Sequence, residues 1–211
     1  MNPNTIDSII KQLIASHTTI STMESCTSGL IASLITDTEG ASAIFPGGYV
    51  TYLNETKVLV GVDPSVIEIH GVYSPECAEA MARTVQENLH TAIAIGITGT
   101  TGNLDPNNAD SVQGVVYFCI LYKAQAHTFT FQTNVSGMTR HENQTALRRA
   151  GLCRIGNDLN FFLIKRMQLR LRSPRVPSVY LHSCVPQMPR ELRYGQSYSA
   201  AVLVQYDRHG I

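Results

Sequence analysis

The sequence predicts a three-layer α/β domain built on a mixed, mostly parallel sheet. Segments with the apolar spacing of a helix alternate with short segments rich in β-branched and aromatic residues. The run AIAIGI at residues 92–97 is apolar throughout, as buried central strands are. Further along, two strand-like runs follow each other directly and predict a hairpin.

The first part of the chain alternates between helix and strand signals. Apolar residues from Ile6 to Ile14 have the spacing of one helical face, TTISTM predicts a strand, and GLIASLIT predicts a second helix. GYVTYL is β-branched and aromatic and predicts another strand. Asn54 has the side chain of a helix cap, which predicts a helix running through Lys57 to Val60.

The next helix has a clear start, because a capping serine (Ser74), a proline in the first turn and an acidic residue near the positive end of the helix dipole coincide. It is expected to end near Leu89. The buried strand AIAIGI follows, then the long loop GITGTTGNLDPNNADS and a hairpin of VQGVVYFCIL and HTFTFQT. A last helix is predicted from Thr139 to about Leu163.

Bulk properties restrict the class further. The 211 residues are 44% hydrophobic with a formal net charge of +0, so the chain can bury a large core and has no global charge favouring a nucleic-acid partner. The N-terminal residues lack the order of features of a signal peptide, and no apolar run has membrane length, so we expect a cytoplasmic protein without a membrane partner. The five cysteines show no CxxC or Cys/His pairs, which indicates reduced thiols and no zinc site.

Residues 164–211 differ in composition from residues 1–163. They carry eight Lys or Arg residues, two acidic residues and four prolines. We therefore predict a folded domain at 1–163 and a basic, proline-punctuated extension at 164–211, in which only SYSAAVLVQY has a strand pattern. Its charges are spread too thinly to form a strong nucleic-acid footprint, so nucleic-acid binding ranks below the other hypotheses.

The stretch TMESCTSGLIASL places small polar residues between a predicted strand and a predicted helix. Ser25 lies there beside the amides of the next four residues, which could stabilise an oxyanion or bind a phosphate or carboxylate. The alternative is that Ser25 or Thr27 only caps the helix. A serine nucleophile also needs a base, and none of the seven histidines lies in a motif with an acidic partner.

Lys57 is a candidate base. A place in the first turn of a helix would lower its pKa through the helix dipole, and partial desolvation beside Tyr49 or Tyr52 would lower it further and make the free amine available; an ordinary solvated lysine is the alternative. Tyr49 and Tyr52 point to opposite faces of their strand, so only one is expected to face a cleft. There its phenol could relay a proton or stack on an aromatic ligand, with strand packing as the alternative.

Several ordered blocks together resemble the C-terminal domain of the competence-damage-inducible protein CinA, a family that includes nicotinamide-nucleotide amidases. The blocks, within residues 5 to 163, are ESCTSGLIASLITDTEGASAIFPGGYVTYLNETKVLVGV, HGVYSPECAEAMA, AIAIGITGTTG and GVVYF. The resemblance implies an α/β/α sandwich, often self-associated, that hydrolyses the carboxamide of nicotinamide mononucleotide to nicotinate mononucleotide and ammonia. It implies no metal or redox cofactor.

The resemblance also implies roles for individual residues. Ser25 resembles the nucleophile, Lys57 its activating partner and Tyr52 a proton relay. The implied substrate contacts are Glu24, Cys26, Thr27, Ser28, Gly29, Gly48, Tyr49, Thr98, Gly99 and Arg140. Cys26 is an alternative nucleophile, because a helix N-terminus stabilises a thiolate.

Three motifs differ from the family pattern. ESCTSG has Ser28 where the family usually has glycine, and the loop TGTTGNLDPNNADS is longer and less glycine-rich than TGIAGPGGG. SGMTRHE stands in place of a Gly-Asp-Arg pattern, which makes Arg140 the matching phosphate contact. These differences support a second hypothesis from another class, namely a protein of this fold that binds a nucleotide without turning it over and acts through interaction.

Overall fold

The computed structural model describes residues 4–102, 104–108, 111–122, 124–133, 136–147 and 204–205. Its strands are β1 (Ile20–Glu24), β2 (Gly48–Val50), β3 (Ile93–Gly99), β4 (Val115–Tyr122), β5 (Gln125–Gln132) and β6 (Val204–Gln205). Its helices are α1 (Asn4–Ala15), α2 (Leu30–Thr36), α3 (Asn54–Leu59), α4 (Pro64–His70), α5 (Pro75–Leu89) and, as α6, residues 140–147. None of these helices has the length and apolar character needed to cross a bilayer.

The strands form one mixed sheet in the order β2-β1-β3-β4-β5-β6. β1 pairs in parallel with β2 and β3, whereas β3–β4, β4–β5 and β5–β6 are antiparallel. The mixed sheet is confirmed, but among the described strands the antiparallel pairings outnumber the parallel ones, so "mostly parallel" is too strong. The reason is that β4 and β5 form a hairpin, which needs no crossover helix.

Helices cover both faces of the sheet, which confirms the three-layer arrangement. The first face carries α1, α2 and α6, and its core contains Ile10, Leu13, Ile31, Ile35, Ile95, Phe118 and Leu147. The second face carries α4 and α5, and its core contains Met23, Cys77, Met81, Val85, Ala94 and Leu121. Successive strand residues supply the two cores alternately because side chains in a strand alternate between faces.

The path of the chain opens a crevice at one edge of the sheet. From the central strand β1 the chain passes through α2 to β2 on one side, and then through α3, α4 and α5 to β3 on the other. Such a reversal in parallel strands creates a cleft outside their carboxyl ends, where ligands bind in open α/β sheets. Ser25, Thr51 and Thr100, each the first residue after one of these strands, therefore meet at the same edge.

Most predicted elements are confirmed. These include α1, β1, α2, β3, the β4–β5 hairpin, and α5, at whose start Ser74 Oγ accepts a hydrogen bond from the amide of Cys77. The predicted last helix is present at residues 140–147, and its extension to Leu163 lies outside the described residues. In the 164–211 extension only residues 204–205 are described, and they are strand, as SYSAAVLVQY predicts.

Three local predictions need correction. The strand predicted for GYVTYL ends at Val50, and Leu53, not Asn54, occupies the cap position of α3. The Asn54 side chain instead donates a hydrogen bond to Asn108 across the crevice. Helix α4 is absent from the sequence-based prediction, although Asp63, which accepts from the amide of Ser65, and Pro64 are ordinary helix-start signals.

Helix α5 packs directly on β3 at Gly96. A Cβ at this position would overlap the backbone of Ala78 and lie 2.7 Å from the amide nitrogen of Ala82. Backbone cannot move aside as the end of a flexible side chain can, so only glycine fits.

Gly96→Ala is expected to lower the free energy of unfolding by about 3 kcal/mol or more, because α5 must move off the sheet. Urea denaturation monitored by circular dichroism measures this loss. Gly102→Ala is the matched control, because a Cβ there meets only Arg140 atoms, the nearest at 3.8 Å. Equal stability of the two variants would contradict the close packing at Gly96.

The turn after β1 contains two residues with left-handed backbone. Gly29 has a φ of 89° and Ser28 a φ of 52°. A residue with a Cβ pays roughly 1–2 kcal/mol in this region. Ser28 is exposed, so no buried contact of its side chain offsets that cost.

Ser28→Gly is expected to raise the free energy of unfolding by about 0.5–1 kcal/mol. The relief of backbone strain exceeds the extra chain entropy of glycine, roughly 0.5–1 kcal/mol. Ser33→Gly, at an exposed position inside α2, is the control and should lower stability by about 0.5 kcal/mol. Destabilisation by both changes in urea melts would contradict the assignment of strain to Ser28.

Candidate active site

A cavity of about 490 Å³ lies at the carboxyl ends of the three parallel strands. The turn after β1, the start of α3, the turn before α5, the loop between β3 and β4, and the start of α6 all contribute to its wall. The sequence-predicted site residues that line it are Ser25, Cys26, Tyr52, Lys57, Gly99 and Arg140. Residues far apart in the chain are therefore brought together around Ser25.

Ser25 and Lys57 are in contact at the floor of the cavity. Lys57 Nζ lies 3.3 Å from Ser25 Oγ and donates a hydrogen bond of 2.9 Å to the carbonyl of Thr51. The amide of Ser25 donates to the carbonyl of Ile97, so β3 holds the nucleophile candidate beyond the end of β1. The geometry is that of a hydroxyl facing an amine whose orientation a second hydrogen bond fixes.

Lys57 is almost completely buried, with 1% of its surface exposed. Burial lowers the pKa of its amine below the usual 10.5. The nearby Cys77, Cys26, Asp105 and Glu55 raise the pKa, but their combined effect is smaller than that of burial. The predicted lowering is thus found, and of its two predicted causes, the helix dipole and desolvation, the structure supplies desolvation. Lys57 stands in the last turn of the short helix α3, where the helix dipole does not disfavour a cation.

Glu24 does not contact the cavity, which corrects its assignment as a substrate contact. Its buried carboxylate accepts hydrogen bonds from the hydroxyl of Thr27 and from the amides of Gly29, Ile31 and Ala32. It therefore binds the first turn of α2 and shapes the turn that carries Ser25. Neither Ser25 nor Thr27 caps α2 with its side chain; the cap position is Gly29.

The other predicted contacts that do not line the cavity have structural roles. Thr27 is committed to Glu24, and Ser28 and Gly29 form the left-handed part of the turn. The remaining three are packed away from the cavity: Gly48 against the backbone of Thr22, Tyr49 against the core under α5, and Thr98 with its hydroxyl on the carbonyl of Val72. Of the two tyrosines, only Tyr52 lines the cleft, as predicted, but strand alternation is not the reason, because the strand ends at Val50.

The amides of the turn after Ser25 are only partly available. The amide of Ser28 donates to the carbonyl of Ser25, and that of Gly29 to Glu24. Within the described part of the chain, the amides of Cys26 and Thr27 have no backbone or carboxylate acceptor. Thr27 does not line the cavity, so of the four amides predicted as oxyanion donors only that of Cys26 remains for a ligand.

Tyr52 and Arg140 form a pair at the mouth of the cavity. Arg140 Nη2 donates a 2.6 Å hydrogen bond to the Tyr52 hydroxyl, and its guanidinium carbon lies 6.0 Å from the centre of the Tyr52 ring. Tyr52 is 57% exposed. Its hydroxyl therefore contacts Arg140, and among the described residues it makes no hydrogen bond to Ser25 or Lys57 that would serve the predicted proton relay.

Cys26 is unsuited to act as the nucleophile. Its burial, together with the nearby charge of Glu24, raises the pKa of its thiol to about 12. The thiolate that attacks substrates is disfavoured, contrary to the stabilisation expected of a helix N-terminus. Among the candidates in this turn, Ser25 alone has a base in contact.

Several cavity residues are absent from the sequence-based prediction. Asp105, held by Tyr73, and Asn108, bound to Asn54, line the wall beside Lys57. The long Asn- and Asp-rich loop after β3 was the available signal, but the sequence does not indicate which of its side chains face inward. No group of three or more His, Cys, Asp or Glu side chains suited to a metal ion occurs in the described ranges.

Comparison with known proteins identifies relatives of this chain. A family model described as the CinA C-terminal domain matches residues 3–159. The chain is 43% identical over 124 residues to a protein of Moorella thermoacetica named as competence-damage inducible, and 41% identical over 117 residues to a CinA-like protein of Mycobacterium marinum. These matches cover 58% and 55% of this chain but only 30% and 27% of the relatives, so the chain spans less than a third of their length.

Solved structures share the fold. A CinA superfamily protein of Klebsiella pneumoniae superposes with a TM-score of 0.67 over 76% of this chain and 99% of its own, at 22% identity. A competence/damage inducible protein of Agrobacterium tumefaciens superposes with a TM-score of 0.61 over 74% of this chain and 96% of its own, at 27% identity. Since the family model matches well over half of its residues, the chain belongs to the CinA C-terminal domain family.

Proposed function

We propose that this chain is an amidohydrolase that converts nicotinamide mononucleotide to nicotinate mononucleotide and ammonia. The observation that carries the proposal is the buried Lys57 amine, 3.3 Å from the hydroxyl of Ser25 in a cavity of about 490 Å³. A desolvated lysine is a competent base for a serine nucleophile. The family resemblance supplies the substrate, and the geometry supports the reaction type.

The neutral amine of Lys57 has the hydrogen-bond pattern that the first step needs. One N–H donates to the carbonyl of Thr51, which leaves the nitrogen lone pair free to accept the proton of Ser25 Oγ. Ser25 Oγ then bonds to the carboxamide carbon, and the carbonyl oxygen takes the negative charge. The amide of Cys26, a residue that lines the cavity, is the proposed donor to that oxyanion, worth roughly 3 kcal/mol when well aimed.

The second half of the reaction uses the same two residues. The protonated Lys57 gives its proton to the amide nitrogen, and the C–N bond breaks. Ammonia departs, and the acyl group stays bound to Ser25 as an ester. Lys57, neutral again, takes a proton from water, whose oxygen attacks the ester. The acid leaves as Ser25 Oγ recovers the proton from Lys57, and it becomes nicotinate by giving its remaining proton to ammonia or water.

Arg140 is the proposed contact for the phosphate. It lines the cavity, and its guanidinium has no carboxylate at ion-pair distance among the described residues, whose two ion pairs are Lys11–Asp7 and Arg83–Glu79. A guanidinium that retains free donors binds phosphate well.

Self-association, a cytoplasmic location and a domain boundary near residue 163 stay predictions.

Ammonia release from nicotinamide mononucleotide tests the proposal. Ser25→Ala is expected to lower kcat at least about 10³-fold, because the covalent route is lost. Ser28→Ala is the matched control: it removes an exposed hydroxyl three residues away, outside the cavity, and should leave kcat within about twofold.

Two results would contradict the proposal. Undiminished release by Ser25→Ala would remove Ser25 as the nucleophile. A folded wild type that releases no ammonia would replace the amidase with the second hypothesis, a nucleotide-binding protein without turnover, provided that it still binds the nucleotide.

The pH dependence tests the base. Because burial lowers the pKa of Lys57, kcat/KM is expected to rise with pH through that lowered pKa and to level off below pH 10.5. Lys57→Arg should be inactive at every pH, since guanidinium stays protonated. A rising limb at or above 10.5, or an active Lys57→Arg, would contradict a lysine base.

Stability measurements report the same titration without substrate. Between the lowered pKa and 10.5 the unfolded chain binds the Lys57 proton more than the folded chain does, so this residue's contribution to stability rises with pH and is lost as pH falls. The free energy of unfolding of Lys57→Met minus that of wild type should therefore decrease as pH rises through this window. A constant difference would show that the amine is not desolvated.

A further inference from the structure

The cavity is lined by ionic side chains of opposite sign that no ion pair neutralises. Arg140 and Asp105 both line it, and Asp105 is close enough to Lys57 for their charges to interact. The ion pairs within the described residues are both on exposed helix faces, so neither Asp105 nor Arg140 has an oppositely charged partner at ion-pair distance. Unneutralised charges in a cleft attract complementary charges of a ligand.

Asp105 is held by neutral donors only. Its Oδ2 accepts from the hydroxyl of Tyr73 at 2.6 Å and from Nδ2 of Asn108 at 2.6 Å, and its Oδ1 accepts from the amide of Asn107 at 2.9 Å. These bonds, the one from Tyr73 above all, lower the pKa of Asp105, and the nearby charge of Lys57 adds a smaller lowering. The carboxylate is thus charged at neutral pH, and its neutral partners do not cancel that charge.

The position of Asp105 is fixed relative to the candidate base. Asn108, which donates to Asp105, accepts a 2.8 Å hydrogen bond from Asn54, and Asn54 is the first residue of the helix that carries Lys57. Tyr73 belongs to the turn before α5. Three separate segments therefore place this carboxylate, and the exposed Glu55 adds a second negative charge to the same cavity.

We propose that Asp105 is a specificity-determining residue that selects ligands with a positively charged aromatic ring, so that the cavity takes a dipolar nucleotide with its cationic ring toward Asp105 and its phosphate toward Arg140. The choice of ligand rests on the proposed function, because nicotinamide mononucleotide combines a pyridinium cation with a phosphate. The carboxylate stabilises the ring charge across the cavity. A neutral ring of the same shape gains nothing from it.

A pair of ligands that differ only in ring charge tests this inference. Binding of nicotinamide mononucleotide and of its reduced form, whose dihydropyridine ring is uncharged, is measured by calorimetry in a Ser25→Ala background so that neither is consumed. Asp105→Asn is expected to weaken binding of the oxidised nucleotide about tenfold, the effect of roughly 1.4 kcal/mol of lost attraction, and to leave the reduced form within about twofold. Glu39→Gln, which removes the same charge from an exposed turn outside the cavity, should change neither.

Three results would overturn the inference. An equal loss of affinity for both ligands would show that Asp105 contacts the ribose hydroxyls or supports the loop. Unchanged affinity for both would show that Asp105 takes no part in recognition. Failure of the parent protein to bind either ligand would show that the ligand class is wrong. A second measurement does not depend on the folding of Asp105→Asn. The ratio of the two affinities should fall as ionic strength rises, since salt screens the ring charge, and a constant ratio would contradict the inference.

The inference and the proposed function can fail separately. Charge-selective loss in Asp105→Asn without ammonia release by wild type would support the dipolar site and overturn the amidase. Ammonia release by wild type with no charge-selective loss would do the reverse.

Discussion

Burial of the Lys57 amine is the constraint on which the site depends. An ammonium group removed from water is costly unless it is paired, and within the described residues no carboxylate lies at ion-pair distance from Lys57. The lowered pKa favours the neutral amine, which has two N–H donors and one lone pair and so needs both an acceptor and a donor as partners. The carbonyl of Thr51 and the hydroxyl of Ser25 supply these partners, so the ends of β1 and β2 and the short helix α3 must all hold their positions.

The neighbouring charges are stabilised in other ways. Glu24 is as deeply buried as Lys57, yet three amides and a hydroxyl bind its carboxylate, and this shapes the turn after β1. Asp105 accepts hydrogen bonds from neutral donors at the cavity wall, and Arg140 donates a hydrogen bond to the hydroxyl of Tyr52. Neither Asp105 nor Arg140 has an ion-pair partner among the described residues, so the lining of the cavity keeps charges of both signs.

The fold was largely predictable because its signals are local. The Ser74 cap, the apolar run of β3 and the alternation of the hairpin act over a few residues, and the corresponding elements form where expected. Predictions failed where the structure depends on a partner distant in the chain, as at Asn54. There the side-chain amide of Asn54 donates a hydrogen bond to Asn108, 54 positions away, and Leu53 occupies the cap position. No local pattern could reveal that partner.

By itself the sequence determined the alternation of elements, the placement of Ser25 at the end of a strand and the family to which the chain belongs. Only the tertiary structure decided which residues of the motifs face the cavity. It turned Glu24 and Thr27 toward α2, put Lys57 against Ser25, and brought Asp105 into the wall. The physical reason is that burial and desolvation depend on segments joined only by folding, whereas caps and periodicity depend on neighbours in the chain.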